Sequence, residues 1–203
     1  WFDSARATSS NDCNPVTIGA VMPTPDMQYR FVGHAPENLS TRPVVVVGFG
    51  PCGIFAALVL AQMGFRPIVL ERGKAVRERT QDTWDLWRKH VLNPESNVQF
   101  GEGGAGTFSD GKLYSQVSES AAYGRKVLEE LVAAGANPEI LTQHRPHVGT
   151  FKLATVVRGL RARIEALGGE VRFGQQVVGI TLDDPGGRRG SGVRLAVGCW
   201  IAG

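Results

Sequence analysis

Four consecutive valines, Val44 to Val47, run directly into Gly48-Phe49-Gly50-Pro51-Cys52-Gly53. A β-branched run with no polar face is the pattern of a parallel strand covered on both sides, so this strand is expected at the centre of a sheet. After the glycines, Ile54, Ala57, Leu58 and Ala61 recur at helical spacing, Gly64 ends the pattern, and Pro67 to Leu70 supplies a second apolar strand. Right-handed crossover makes the two strands parallel neighbours. Gly48 permits a tight turn, Gly50 lets the backbone approach a pyrophosphate, and Gly53 lets helix and strand pack closely. The helix start adds unpaired N–H groups and positive potential. Glu71 closes the second strand 18 residues beyond Gly53, near the roughly 20-residue offset at which an acid hydrogen-bonds ribose hydroxyls and repels a 2′-phosphate. Strand, glycine turn, helix, strand and acid in this register predict an α/β, Rossmann-type parallel sheet. Its stretch from about Pro43 to Arg72 holds the ADP part of a dinucleotide.

The remaining chain divides around that unit. Residues 1–42 carry Pro15, Pro23, Pro25 and Pro36 among polar residues and read as an extended lead-in segment. The Rossmann-type domain is expected over 43–169. Within it, Trp84, Trp87 and Val91 mark one amphipathic helix and Val127, Leu128, Leu131 and Val132 another. Val157, Leu160, Ile164 and Leu167 mark a third, stopped by Gly168-Gly169. Alternation from Val171 onward, with Asp184-Pro185-Gly186-Gly187 as a turn, makes 170–203 a strand-rich segment, either the start of a second domain or a return to the sheet. The chain opens on Trp1 and stops at Gly203 directly after an apolar run, and is expected to be an N-terminal piece of something longer, incomplete at its carboxyl end.

Several classes are disfavoured. Twenty-two Lys and Arg against 19 Asp and Glu leave a formal charge of +3, without the lysine-rich block of a nucleic-acid binder. The longest apolar stretch, Ile54 to Ala61, falls well short of the roughly 20 residues of a membrane span. Trp1 to Asn14 lacks the pattern of a secretory signal, leaving a cytoplasmic setting as the default. Cys13, Cys52 and Cys199, with His34, His90, His144 and His147, show no ligand spacing, so reduced thiols and no metal are expected.

Gly48 to Gly53, followed by Val69-Leu70-Glu71-Arg72-Gly73, resembles the two-dinucleotide-binding-domain flavoproteins of the glutathione-reductase type. That resemblance implies FAD rather than NAD, with Pro51 and Cys52 in the phosphate turn, Glu71 on the ribose and Arg72 over the adenine. A second glycine loop, from Gly101 to Leu113, is similar to that of a particular branch, the uncharacterised FAD-dependent dehydrogenases of bacteria. Arg145-Pro146-His147-Val148-Gly149-Thr150 and the block at 165–171 extend the similarity over about Phe31 to Ile180. It implies that Gly103, Gly104, Ala105, Gly106, Thr107 and Ser109 lie along the pyrophosphate and flavin, and that a strand near Val177 contacts adenine.

A flavin performs electron transfer itself, so catalytic side chains are expected to be few, and none is assigned. Cys52 has no second cysteine nearby for paired-thiol chemistry and reads as a small buried filler. His144, Arg145 and His147 read as a solvated loop, with a substrate-facing role as the alternative. Lys112 reads as exposed, or as a counter-charge to reduced flavin. Trp84 and Trp87 are expected in the core. The expected function is an FAD-dependent oxidoreductase moving a hydride or two electrons between flavin and a small-molecule substrate or NAD(P)H. The alternatives are an NAD-binding reductase domain and a truncated, catalytically silent dinucleotide-binding module.

Overall fold

The computed structural model describes residues 26–37, 43–114, 122–182 and 193–199. The opening stretch Trp1 to Asn14, the turn expected at Asp184 to Gly187 and Cys13 lie outside these residues. Three parallel strands, β1 (Val45–Val47), β2 (Ile68–Leu70) and β3 (Glu170–Arg172), stand side by side in that order. Val46 faces Val69, and Val69 faces Val171. Helix α1 (Pro51–Gln62) makes the crossover from β1 to β2. Pro51 occupies its first turn, where a missing N–H costs nothing. Helices α2 (Val76–Lys89), α3 (Tyr123–Ala133) and α4 (Thr150–Ala166) lie between β2 and β3 in the chain.

The core fills the space between sheet, α1 and α4, where Phe49, Ile54, Leu58, Val69, Val156, Leu160 and Ile164 are all buried to 2% exposure or less. Each such side chain contributes about 1.5–3 kcal/mol of burial free energy. None of the helices among the described residues is long and apolar enough to cross a membrane.

Three sequence expectations shift. First, β1 is a margin of the sheet among the described residues rather than its centre. It pairs only with β2, and Val45 and Val47 are 36% and 56% exposed. One face of β1 is covered by α1; the valine run is suited to a second cover that the described residues do not supply. Second, the expectation for 170–203 narrows at its start to one of its two alternatives, the return to the sheet. Glu170 to Arg172 returns to the parallel sheet, and the antiparallel pair β4 (Gln175–Leu182) and β5 (Val193–Cys199) starts after Gly174, with a bulge between Val177 and Gly179. Third, Trp84 and Trp87 are not core residues, being 43% and 53% exposed. Helix α2 turns Val76, Arg79 and Thr83 inward instead, because the neighbouring loop offers carbonyls that a buried guanidinium satisfies. The tryptophans stack edge-on with each other, and Trp87 does the same with Phe108.

Candidate functional site

The glycine turn sits at the carboxyl ends of the parallel strands, where ligands bind in open α/β sheets. Gly48 takes φ +89°, and its amide is held by the Leu70 carbonyl at 2.8 Å. At Gly53 a Cβ would lie 2.0 Å from the Gly48 carbonyl oxygen, so only glycine lets α1 start this close to β1. The helix start carries no side-chain cap and no acidic residue in its first turn. Its first amides therefore retain their donor capacity and positive potential.

Glu71 is buried and organises the backbone around the turn. Its Oε2 accepts the Phe49 amide at 2.6 Å, and its Oε1 accepts the amides of Gly73 at 2.8 Å and Gly101 at 3.1 Å. The second glycine loop then closes against the first: the Gly103 amide donates to the Phe49 carbonyl at 2.8 Å. The Gly104 backbone passes so near that a Cβ there would be 3.1 Å from the Gly50 Cα and 3.3 Å from the Pro51 Cδ.

Beneath this loop lies a buried polar network. Glu102, fully buried, accepts the Val76 amide at the start of α2 at 2.7 Å and pairs with Arg161 at 3.2 Å. Burial pushes its carboxyl above the ordinary range, against the opposing pull of the Val76 amide and Arg161. Arg79 is fully buried beside it, and burial lowers its guanidinium to about 10.

Two cavities flank the glycine junction. A cleft of about 280 Å3 is lined on the first side by Gly48, Gly50, Glu71, Arg72, Gly104 and Val177, all expected from the sequence. Val47 and Leu70 of the expected strands and Gly101 of the expected second glycine loop also line it, whereas Gln99, Phe100, Gln175 and Gln176 carry no signal that sequence reasoning recognised. Val177 reaches the cleft because the Gln175 amide is held by the Glu71 carbonyl at 2.9 Å, which roots β4 at the end of β2. On the second side, an apolar cavity of about 680 Å3 is bordered by Pro51, Cys52, Gly103, Gly106, Thr107 and Ser109, with α1, α3 and α4 behind them. Ala105 lines neither and is exposed. A third hollow, around Ala35, Gly64 and Arg66, lies at the opposite strand ends and contains none of the motif residues.

Individual side chains depart from expectation. Cys52 is exposed rather than a buried filler, since at this first turn Gly53 is the residue pressed on the strand. The Arg72 guanidinium stacks on the Phe100 ring at 4.1 Å and pairs with Glu95 at 2.8 Å, which holds it at the edge of the cleft. His144, Arg145 and His147 are exposed on their loop. Lys112 is exposed and pairs with Asp110 at 3.0 Å, which raises the lysine and lowers the aspartate from their ordinary values.

This chain is 51% identical over 148 residues to an uncharacterized protein of Clostridium beijerinckii. The match covers 73% of this chain and 27% of that relative, so the chain spans about a quarter of the relative's length. The sequence profile of the family described as "FAD binding domain" matches residues 41–189. That range takes in the parallel sheet, both glycine loops, the cleft and β4, and the chain belongs to the FAD binding domain family.

Proposed function

We propose that this chain is the cofactor-holding part of an FAD-dependent oxidoreductase that moves a hydride or two electrons between flavin and a small molecule or NAD(P)H. The reading includes the two-dinucleotide-domain architecture of the glutathione-reductase type and a cytoplasmic setting. The observation that carries it is the start of α1, which has neither cap nor acid and opens beside Gly48, Gly50 and Gly104 at the strand ends. That arrangement fits a diphosphate, which needs backbone donors and no bulky side chain.

FAD supplies the electron-transfer chemistry when bound. The chain's own residues bind and orient. The first-turn amides of α1 meet the diphosphate. Arg72, Phe100 and Val177 border the space for adenine. Glu71 faces the ribose: a carboxylate has about four acceptor directions, and backbone amides occupy three of them, leaving one for a ribose hydroxyl. Gly103, Gly106, Thr107 and Ser109, bordering the apolar cavity, serve the flavin end and keep water from it.

Gly50 provides the test. Its φ is −75°, and an added Cβ meets only the Gly104 Cα at 3.9 Å, so Gly50→Ala leaves the fold intact while placing a methyl group at the cleft. The native chain is expected to acquire flavin absorption bands on incubation with FAD, and Gly50→Ala to bind it about tenfold or more weakly at an unchanged melting temperature. Anaerobic titration with NADH and NADPH then names the electron donor. A folded native chain that takes up no FAD overturns the reading.

A further inference from the structure

Arg79 is fully buried, and among the described residues no carboxylate forms an ion pair with it. Its guanidinium instead donates along one loop: to the carbonyls of Asn97 at 2.8 Å, Val98 at 2.7 Å and Glu102 at 2.6 Å, and to the Thr107 hydroxyl at 3.3 Å. The Phe108 ring lies over it at 4.9 Å. Burying an arginine costs several kcal/mol unless its donors are met. Here the loop meets them with carbonyls that regular secondary structure does not pair. The fit is tight from the loop side as well, since a Cβ at Gly101 would lie 2.5 Å from the Arg79 Cδ.

The loop wrapped on this guanidinium is the one that separates the two cavities. Gln99, Phe100, Gly101 and Gly104 wall the cleft, whereas Gly103, Gly106 and Thr107 border the apolar cavity. Resting on the FAD reading above, we propose that Arg79 is a positioning residue for the cofactor: its planar fork fixes the 97–108 loop against the start of α1, and so sets how tightly FAD is held and what surrounds the flavin. It does this without lining either cavity. A lysine cannot substitute, because one ammonium on a flexible stem does not span carbonyls at 97, 98 and 102 together.

The test compares the 203-residue chain with Arg79→Lys and Arg79→Met by amide hydrogen exchange, FAD affinity and the visible circular dichroism of bound flavin. Both variants are expected to keep protection in α1, β1 and β2, exchange faster over 97–108, bind FAD about tenfold or more weakly, and alter the flavin's dichroic band. Unchanged affinity and an unchanged band in a folded variant overturn the proposal, even if its melting temperature drops, because a merely structural residue behaves that way. Should Arg79→Met fail to fold, Arg79→Lys, which keeps a charge in the same hole, carries the comparison. A native chain that takes up no FAD defeats the cofactor reading and the cofactor role of Arg79 with it, whereas native uptake with unchanged variant affinity defeats the Arg79 role alone. In either case exchange over 97–108 decides whether Arg79 anchors the loop: faster exchange supports it as the anchor, and an unchanged rate removes it.

Discussion

The Glu71 carboxylate accepts the Phe49 amide at 2.6 Å and thereby ties the end of β2 to the glycine turn after β1, across 22 residues of chain. With the amides of Gly73 and Gly101 on its other oxygen, it is the common acceptor of three segments. Glu71→Gln replaces one acceptor oxygen with a donor facing an amide, and is expected to cost about 1–3 kcal/mol. The denaturant midpoint measures this; an unchanged midpoint would mean that the three amides find other partners.

Gly53→Ala is expected to damage the fold itself, unlike Gly50→Ala. The added carbon would sit 2.0 Å from the Gly48 carbonyl oxygen, which forces α1 away from β1. A loss of about 2 kcal/mol or more is expected from such overpacking, read as a lowered melting temperature before any cofactor is added. A native-like melt for Gly53→Ala would refute this account of the turn.

Two buried glutamates bend the pH dependence of stability in opposite directions. Burial works to raise Glu130, but Lys126, Gln62 and Arg163 outweigh it and hold the carboxyl below the ordinary 4.5. Its contribution is present above 4.5 and is lost as pH falls through the lower folded value. Glu102 is raised by burial, so its contribution is full below 4.5 and is lost as pH rises through the higher folded value. Denaturation midpoints from about pH 3 to 7 should therefore fall less on the acid side for Glu130→Gln, and less on the rising side for Glu102→Gln. Profiles parallel to the native one would contradict both assignments.

Trp84→Gln is expected to change stability by no more than about 0.5 kcal/mol. Its ring is 43% exposed and makes its contacts with Trp87 and Arg88 at the surface. A cost of core size in chemical denaturation would restore the tryptophan to the interior.

The contrast between Trp84 and Arg79 marks where sequence reasoning stops. The β1–α1–β2 unit, Gly48, Gly50, Gly53 and Glu71 are legible because periodicity and the glycine fingerprint are local: every partner lies within a few dozen residues. Val177 was reachable only through the resemblance, and it does line the cleft. The phase of α2 was not legible, because hydrophobicity alone turns its tryptophans inward. What turns Arg79 inward instead is a set of carbonyls 18 to 23 residues downstream, in a loop without periodicity. The exposure of Cys52 followed from which residue of the first turn presses on the strand, a matter of backbone contact rather than composition.

The register Ile68 to Glu170 places about a hundred residues of chain between β2 and the strand that completes its pairing. On a ribosome adding about 5–20 residues per second, that is a wait of roughly 5–20 seconds after β2 has emerged. During it, one edge of β2 has no strand to pair with, and the Val69 side chain, fully buried in the finished fold, lacks the α4 residues that help cover it. An unpaired apolar strand edge is the surface on which misassembly between chains begins. The nascent chain is thus most vulnerable after its cofactor turn has been made and before the strand that secures it arrives. Slowing synthesis between residues 73 and 169 should lower the soluble yield more than slowing it elsewhere.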